Sequence, residues 1–228
     1  MNVLSFSLWG PHPIYNIGAI ENAKLQKQLL PDWICRYYVG NDSDETTISE
    51  LEQMGCQIVR KEGKHGFQRL FWRMLPASDK TIERFLIQDC DSRINERVVS
   101  AIEDWKLTDK PFMMMRDSVH HSLAIQGGMW GGKGGIIKNI ESAAEEYCSQ
   151  QINTGFKDYY FLDQLFLNQK VWPKIKDHHV AYIGNGGRSY TSNDRSFPVN
   201  LPDGQFVGQV WEANNQPASA SRINPFIY

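Results

Sequence analysis

Short apolar runs alternate with amphipathic segments along the first half of the chain. The runs are rich in β-branched and aromatic residues, as strands are. Each is followed by a segment in which apolar positions recur with the spacing of one helix face. This pattern predicts five strands, at VLSFSL (3–8), ICRYYVG (34–40), CQIVR (56–60), RFLIQD (84–89) and PFMMMR (111–116).

Helices are predicted between these strands and beyond the last one. Ser43 or Asp44 is a suitable cap for the second helix, and a proline or glycine follows several of the others. Repeated strand–helix pairs with short connections predict one α/β domain, with a mostly parallel sheet flanked by helices. The predicted helices cover 15–30, 44–54, 66–75, 95–105, 136–150 and 159–170. The tail beyond His179 is rich in Gly, Asn, Pro and Ser, which predicts loops and short strands.

Composition narrows the class of protein. The chain has 228 residues, of which 41% are hydrophobic, so it can bury a sizeable core. A formal net charge of −2 gives no sign of the basic surface that nucleic-acid binding needs, so no nucleic-acid partner is expected. The four cysteines form no C-x-x-C pair, which favours reduced thiols over a structural zinc site.

The N-terminus and the hydropathy of the chain indicate its location. Residues 1–13 lack a basic region, and their apolar run is too short for a secretory signal. No stretch approaches the roughly 20 apolar residues that a membrane-spanning helix needs. We therefore predict a cytoplasmic protein without a transmembrane segment, and leave open a peripheral contact with a membrane.

Two carboxylates stand at the end of the fourth predicted strand. Asp89 and Asp91 follow the apolar residues Phe85 to Ile87, with Cys90 between them. In an open α/β sheet, ligands bind beyond the carboxyl ends of the strands. Carboxylates repel at close range, and a hard cation such as Mg²⁺ or Mn²⁺ between them removes that repulsion. The alternative is that one Asp caps the next helix while the other forms a surface ion pair.

A strand followed by D-x-D after a nucleotide-binding half resembles the GT-A-fold glycosyltransferases, which use nucleotide-diphosphate sugars. More closely, the chain is similar to a group of small bacterial and viral glycosyltransferases of capsule or surface-glycan synthesis. The segments that carry this similarity are SFSLWG, GAIENAKL, FWRMLPASD, QDCDSRINERVVSAIEDW, MRDSVHH, GGMWGGKGG, LDQLFLN and FVGQVW, and they extend over most of the chain. One departure is Ser118, which follows Arg116 and Asp117 where that group has a histidine.

This resemblance implies a single GT-A-like domain over residues 1–228. Residues 1–92 would form the nucleotide-binding half, and residues 93–228 the acceptor half with a metal and diphosphate loop. It also implies a nucleotide-diphosphate sugar donor, a glycan or lipid-linked acceptor, and Mn²⁺ or Mg²⁺ as cofactor. The domain would stand alone or belong to a larger multi-domain synthase.

The resemblance further implies the residues of the metal site and of catalysis. Asp89 and Asp91 would bind the metal together with a late histidine, which is His178 or, next in order, its neighbour His179. Asp163 would act either as the general base of an inverting enzyme or as part of the D-Q-x-x-x-N run of glycogenin-like retaining enzymes. Gln164 of that run would contact substrate.

Other residues are predicted to bind the donor. Arg69 and Arg73 lie one helical turn apart and would point together at the diphosphate. The loop GNGGR, at 184–188, would bring backbone N–H groups and an arginine to the same phosphates. The remaining predicted donor contacts are Phe6 and Tyr15 near the base, Lys133, and Arg188 of that loop.

The segment QGGMWGGKGG, at 126–135, is predicted to be a loop on the acceptor side. It matches G-x-x-x-x-G-K, but Gly134 stands where a P-loop needs a hydroxyl for Mg²⁺. Gly128 and Trp130 would contact the acceptor, and the indole would offer a flat face to a sugar. Asp117, as a further catalytic carboxylate, and His121 would line the same pocket.

Two other functions compete with sugar transfer. A phosphatase of the haloacid dehalogenase type would use Asp89 as its nucleophile, but that family has the motif on its first strand. A non-catalytic nucleotide-sugar or carbohydrate-binding module on the same fold would bind a donor without turnover.

Overall fold

An eight-stranded sheet forms the centre of the computed structural model, which describes residues 1–63, 66–154 and 161–218. Its strands are β1 (Asn2–Leu8), β2 (Trp33–Val39), β3 (Gln57–Arg60), β4 (Arg84–Ile87), β5 (Phe112–Arg116), β6 (Trp130–Lys133), β7 (His179–Ile183) and β8 (Asp194–Ser196). They lie in the order β3-β2-β1-β4-β6-β5-β7-β8. Every neighbouring pair is parallel except the two that involve β6. The predicted α/β fold with a mostly parallel sheet is confirmed.

Helices cover both faces of the sheet. They are α1 (Pro13–Leu29), α2 (Glu45–Gln53), α3 (Gly66–Arg69), a 3-10 helix (Trp72–Ser78), α4 (Glu96–Lys106), α5 (Ile140–Asn153), α6 (Leu162–Phe166), a π-helical turn (Leu167–Val171) and α7 (Trp172–Ile175). Asp44, and not Ser43, caps α2, because its carboxylate accepts the Thr47 N–H at 2.9 Å. Within the described ranges, no helix combines the length and apolar character needed to cross a bilayer.

Three predicted helices differ from those observed. Pro76 lies inside the 3-10 helix and does not end an α-helix, since 3-10 geometry tolerates its missing N–H here. The helix predicted from 136 begins only at α5, after Asn139 adopts a left-handed φ of 57°. Residues 159–160 of the last predicted helix lie outside the described residues, and the rest is divided between α6 and the π-helical turn.

Alternation along β1 separates two hydrophobic cores. Leu4, Phe6 and Leu8 face α1, α2 and α4, whereas Val3 faces the 3-10 helix and α5 to α7. Phe6 stacks on Tyr37 with ring centroids 4.7 Å apart and is fully buried. The prediction that Phe6 contacts the nucleotide base is therefore wrong.

The segment predicted as a glycine-rich loop contains β6, which lies between β4 and β5. Its glycines allow this insertion: a Cβ on Gly131 would lie 2.4 Å from the Phe85 carbonyl oxygen. Trp130 is fully buried and packs edge-to-face on Phe85 at 5.3 Å. The predicted acceptor loop is thus wrong for residues 130–133, and Trp130 cannot present a face to a sugar.

Candidate active site

A cleft opens at the carboxyl ends of β1 and β4, between the turn at 88–91 and the loop at 126–129. The connection after β1 leads to β2 and the connection after β4 leads to β5, so the two run in opposite directions along the strand order, and open α/β sheets bind ligands at such a point. The cleft is lined by residues from several parts of the chain, among them Ser7, Tyr15, Arg73, Asp89, Asp91 and Asp163.

The turn that carries Asp89 and Asp91 is fixed by α1. Gly18 lies so close that a Cβ there would be 2.0 Å from the Cys90 carbonyl oxygen. One turn further along α1, the Asn22 amide donates to the carbonyl oxygens of Cys90, at 3.3 Å, and Ser92, at 2.8 Å. The carboxylates are therefore held on a rigid backbone, which suits a binding site.

A buried guanidinium joins two carboxylates inside the cleft. Arg73 Nη1 donates to Asp89 Oδ1, and Arg73 Nη2 donates to Asp163 Oδ2 at 2.7 Å. Two serines of β1 hold the backbone of this arginine, because Ser5 Oγ donates to its carbonyl oxygen and Ser7 Oγ accepts its N–H. Burial lowers the pKa of Arg73, but the two carboxylates raise it further, so the net shift is upward and the side chain stays charged.

The D-Q-x-x-x-N run shapes the opposite wall. Asp163 is 2% exposed at the start of α6, and its Oδ1 accepts the Gln164 N–H at 2.8 Å. Burial raises the pKa of the Asp163 carboxyl and Arg73 lowers it, and the net shift is upward. Asn168 brackets the backbone of Ile125, accepting its N–H at 3.1 Å and donating to its carbonyl oxygen at 2.9 Å. This pair of hydrogen bonds positions the loop that faces Asp89.

Two glycines of that loop are required by the carboxylates. A Cβ on Gly128 would lie 1.9 Å from Asp89 Oδ2, and a Cβ on Gly127 would lie 2.9 Å from both Asp163 Oδ2 and Arg73 Nη2. Any side chain at either position would displace a charged group. The two glycines therefore contribute to the site by leaving room for the charged side chains of Asp89, Asp163 and Arg73.

The cleft carries excess negative charge. Asp91 is partly buried and takes part in none of the ion pairs among the described residues. Burial and then the Asp89 carboxylate raise the pKa of Asp91 to about 7, which is the signature of an uncompensated carboxylate. Arg73 offsets only part of the charge of Asp89, Asp91 and Asp163. A bound cation would lower the energy of this arrangement.

The residues present fit a hard divalent cation. Asp89 Oδ2 makes no ion pair, since Arg73 takes the other oxygen, and the Asp91 carboxylate is also available. Across 1–63, 66–154 and 161–218, no cluster of three or more His, Cys, Asp or Glu side chains is arranged to hold an ion. The protein would therefore supply two carboxylate ligands, and phosphate oxygens or water would occupy the other coordination positions, as is usual for Mg²⁺.

The structure brings several of the predicted residues together. Those that line the cleft are Tyr15, Arg73, Asp89, Asp91, Gly128, Asp163 and Gln164. Their assigned roles remain predictions.

The predicted histidine ligand is wrong. His178 immediately precedes β7, which runs parallel to β4 through the sheet, so it lies at the opposite edge from Asp89. His179 is fully buried at the same edge, with Nε2 3.3 Å from Asp194 Oδ1. Strand direction, which local sequence does not reveal, decides this outcome.

Asp117 and His121 belong to a structural clasp outside the cleft. The Asp117 carboxylate accepts Arg97 Nη1 at 2.5 Å and the Val207 N–H at 2.8 Å. His121 Nδ1 accepts the Asp117 N–H at 2.8 Å, and burial lowers the pKa of this imidazole to about 4. Neither residue is among those that line the cleft, so the predicted catalytic role of Asp117 and substrate contact of His121 remain predictions.

Three predicted phosphate contacts also lie elsewhere. Lys133 pairs in register with Arg84 at the far edge of the sheet. Arg69 Nη1 donates to both oxygens of Asp42 at 2.7 Å, whereas Arg73 donates to Asp89 and Asp163. The guanidinium of Arg188 lies 5.2 Å from the ring centre of Tyr190. The prediction for Lys133 is wrong, because this residue lies at the opposite edge of the sheet. The predicted contacts of Arg69 and Arg188 remain predictions, and neither side chain lines the cleft.

Sequence reasoning missed the residues that support the site. Gly18 and Asn22 stand one turn apart in α1, where glycine costs helix stability and therefore signals a close approach. Ser5 and Ser7 interrupt an apolar strand on one face, which signals a polar contact there. The segment FVGQVW also supplies two cleft residues, Gly208 and Val210.

Comparisons with known proteins find distant structural similarities only. No protein-family model and no curated protein matches the chain. Among solved structures, a glycosyltransferase involved in the glycosylation of the major capsid of PBCV-1 is 14% identical over 80% of both chains, with a TM-score of 0.49. Glucosyl-3-phosphoglycerate synthase of Mycobacterium tuberculosis, in complex with Mn²⁺, UDP and phosphoglyceric acid, is 10% identical over 84% of this chain and 72% of its own, also at 0.49.

A synthase of 4-diphosphocytidyl-2C-methyl-D-erythritol from Anaerococcus prevotii is similar as well, at 11% identity over 84% of this chain and 93% of its own. Its TM-score is 0.45. The similar structures thus include both sugar transferases and a synthase of a diphosphocytidyl compound, and their TM-scores are too low to favour one of these chemistries.

Proposed function

We propose that this protein is a divalent-metal-dependent glycosyltransferase of the GT-A type, which transfers a sugar from a nucleotide-diphosphate donor to a hydroxyl acceptor. One observation carries the proposal. The pair Asp89 and Asp91 stands at the carboxyl end of β4, on a fixed turn, within a cleft that also holds Arg73 and the buried Asp163. A capping or surface role would not require this convergence.

Asp89 and Asp91 would hold the ion, and the ion would balance the charge on the diphosphate as it leaves. Arg73 fixes the orientation of Asp89 and Asp163 before any ligand arrives. Asp163 would either accept the proton of the acceptor hydroxyl or stabilise the positive sugar, according to the stereochemistry. Cys90 takes no part, because burial raises the pKa of its thiol and its Sγ donates to the Ser7 carbonyl oxygen.

The finer assignments are also proposals. Residues 1–92 would bind the nucleotide and residues 93–228 would supply the acceptor half, with Gly128 and Gln164 near the sugar. The acceptor would be a glycan or lipid-linked hydroxyl of surface-glycan synthesis, used in the cytoplasm by this domain alone or within a larger synthase.

A thermal-shift screen of UDP-, GDP-, dTDP- and CMP-linked sugars, with and without Mn²⁺, tests the proposal. We expect one nucleotide class to raise the melting temperature only with Mn²⁺, and the double variant Asp89→Ala/Asp91→Ala to lose that response. The exposed pair Asp32→Ala/Asp109→Ala removes the same charge elsewhere and should leave it intact.

Turnover separates transfer from mere binding. Asp163→Asn should retain the Mn²⁺-dependent donor shift while transfer falls by about 100-fold or more. Unchanged transfer in this variant would refute the role of Asp163. A wild-type protein that binds a donor but never turns it over, with water or with glycan acceptors, would instead favour the binding module.

A further inference from the structure

A second cavity lies at the edge of the sheet opposite the catalytic cleft. It opens between α5 and the segment from the π-helical turn to α7, and the start of β5 forms its floor. Its volume is about 680 Å³, within the range of sites that bind drug-sized ligands. Most of its wall is apolar, through side chains that include Phe112, Ile137, Ile140, Phe166, Val171 and Ile175.

Lysine side chains surround this apolar wall. Lys138, Lys170 and Lys174 all line the cavity, and in the part of the chain that the structure describes none of them takes part in an ion pair. Glu146 is the single acidic residue in the lining, and its carboxylate accepts the Gln150 amide at 3.1 Å. The cavity therefore combines an apolar interior with a net positive rim.

The π-helical turn builds this rim. Leu167–Val171 carries Lys170, whose Nζ lies 5.8 Å from the ring centre of Tyr147, and Lys174 follows four residues later. A π-helical turn is rare in proteins and is frequently found at functional sites. It is thus a second observation, independent of charge, that marks this part of the surface.

The shape and the charge define the chemistry of the ligand. A free phosphate does not suit an apolar cavity of this size as its sole occupant, because the apolar wall would remain in contact with water. A neutral hydrocarbon would leave three ammonium groups unmatched. We propose that the cavity takes one hydrocarbon chain of an anionic phospholipid, with the lipid phosphate on Lys138, Lys170 and Lys174, and so binds the protein to an anionic membrane surface.

This lipid site is separate from the proposed sugar transfer and does not rest on it. The catalytic cleft lies at the carboxyl ends of the strands, and the lipid site at their amino ends. A bound membrane would therefore leave the cleft open to solvent.

Vesicle flotation tests the proposal. The full chain is mixed with vesicles of phosphatidylcholine alone or of phosphatidylcholine with phosphatidylglycerol. We expect binding to the anionic vesicles only, and at least about tenfold weaker binding for Lys170→Glu/Lys174→Glu, since each lysine near such a surface contributes about 1 kcal/mol. The matched pair Lys24→Glu/Lys27→Glu on α1 makes the same charge change and should bind as the wild type does.

Two further measurements separate the chain from the charge. Ala143→Trp fills the cavity from the exposed face of α5, so it should weaken vesicle binding while the circular dichroism spectrum is unchanged. Dodecyl phosphate should displace the protein from vesicles, whereas inorganic phosphate or dodecanol at the same concentration should not.

Three results would overturn the proposal. They are absence of binding to anionic vesicles, equal loss of binding in both lysine pairs, and displacement by inorganic phosphate as effective as by dodecyl phosphate. The last two would identify general electrostatic attraction without a lipid site.

Discussion

Arg73 is the residue on which the charge balance of the cleft depends. Its guanidinium, 5% exposed, neutralises parts of two carboxylates that would otherwise repel one another. Removing one partner of a buried ion pair costs more than the pair contributes, because a desolvated charge is left behind.

We expect Arg73→Met to lower the free energy of unfolding by about 3 kcal/mol, because Asp89 and Asp163 lose their shared cation. Mn²⁺ should raise the melting temperature of this variant more than that of the wild type, since it replaces the missing positive charge. Differential scanning calorimetry with and without Mn²⁺ measures both effects. An equal response to Mn²⁺ would contradict the placement of the ion near Arg73.

Gly128 sets the space beside Asp89. We expect Gly128→Ala to abolish the Mn²⁺-dependent nucleotide shift, because its Cβ would require Asp89 Oδ2 to move from a separation of 1.9 Å. Gly55→Ala is a suitable control: Gly55 has a φ of 78° and open space around it, so it adds only backbone strain of about 1 kcal/mol. Isothermal titration compares the two variants, with the nucleotide class that the thermal-shift screen selects, and retained binding in Gly128→Ala would refute this role.

At the scale of elements, the segment 206–211 forms one wall of the cleft although it has almost no regular structure. The Asp117 clasp holds it at Val207, and the Trp211 N–H donates to the Asp91 carbonyl oxygen at 2.8 Å. Arg93 lies 5.6 Å from the Trp211 ring centre. The wall therefore depends on a few contacts with other elements, two of which involve a charged side chain.

Weakening the clasp should loosen that wall. We expect Asp117→Asn to cost about 2 kcal/mol, because an NH2 group replaces one of the two oxygens that accept from Arg97 and Val207, and the buried Arg97 loses its counter-charge. Amide hydrogen exchange at 206–211 should quicken while α1 is unaffected. Glu45→Gln, which breaks the exposed pair with Arg60, should cost under about 1 kcal/mol. Equal costs would show that the clasp is no stronger than a surface ion pair.

His121 makes the same element sensitive to acid. Burial lowers its pKa from 6.5 to about 4, so between these values the unfolded chain binds a proton that the folded chain does not. Stability contributed by the neutral imidazole is therefore full above pH 6.5 and is lost as the pH falls toward 4. Urea unfolding should show a loss of about 2 kcal/mol between about pH 7 and pH 5, and His121→Gln should lose less. Identical losses would contradict a buried neutral histidine.

At the scale of the whole molecule, the two hydrophobic cores form without the active site. Leu86 packs on one face of β4, and Phe85 and Ile87 pack on the other, so the central strands are covered on both sides. The cation would bind at the edge of this sheet and would not link its layers.

We therefore expect EDTA to leave the fold intact. The melting temperature of the nucleotide-free protein should change by less than about 2 °C, while transfer with an active donor should stop. Circular dichroism and a transfer assay on one sample make the comparison, and re-addition of Mn²⁺ is the control. A large fall in melting temperature would mean that the ion is structural.

The sequence by itself determined the period of each element and the end of β4. Apolar alternation in VLSFSL and RFLIQD, and helical spacing in the segments between, depend on neighbouring residues alone, so the α/β class and the position of Asp89 and Asp91 were predictable. The run at Asp163 was found through resemblance, and its place beside Asp89 remained a prediction until the fold brought the two together through Arg73.

Only the tertiary structure decided the direction of strands and the contacts across the sheet. The local sequence QGGMWGGKGG predicts a loop. Part of it forms β6 instead, because β4 and β5 offer backbone hydrogen-bonding groups that glycines, which lack a side chain, can approach closely. His178 reads as a late metal ligand, yet the direction of β7 places it at the far edge, beside the lysines of the second cavity. Local sequence specifies which face a side chain takes, whereas long-range strand pairing specifies which end of the sheet it reaches.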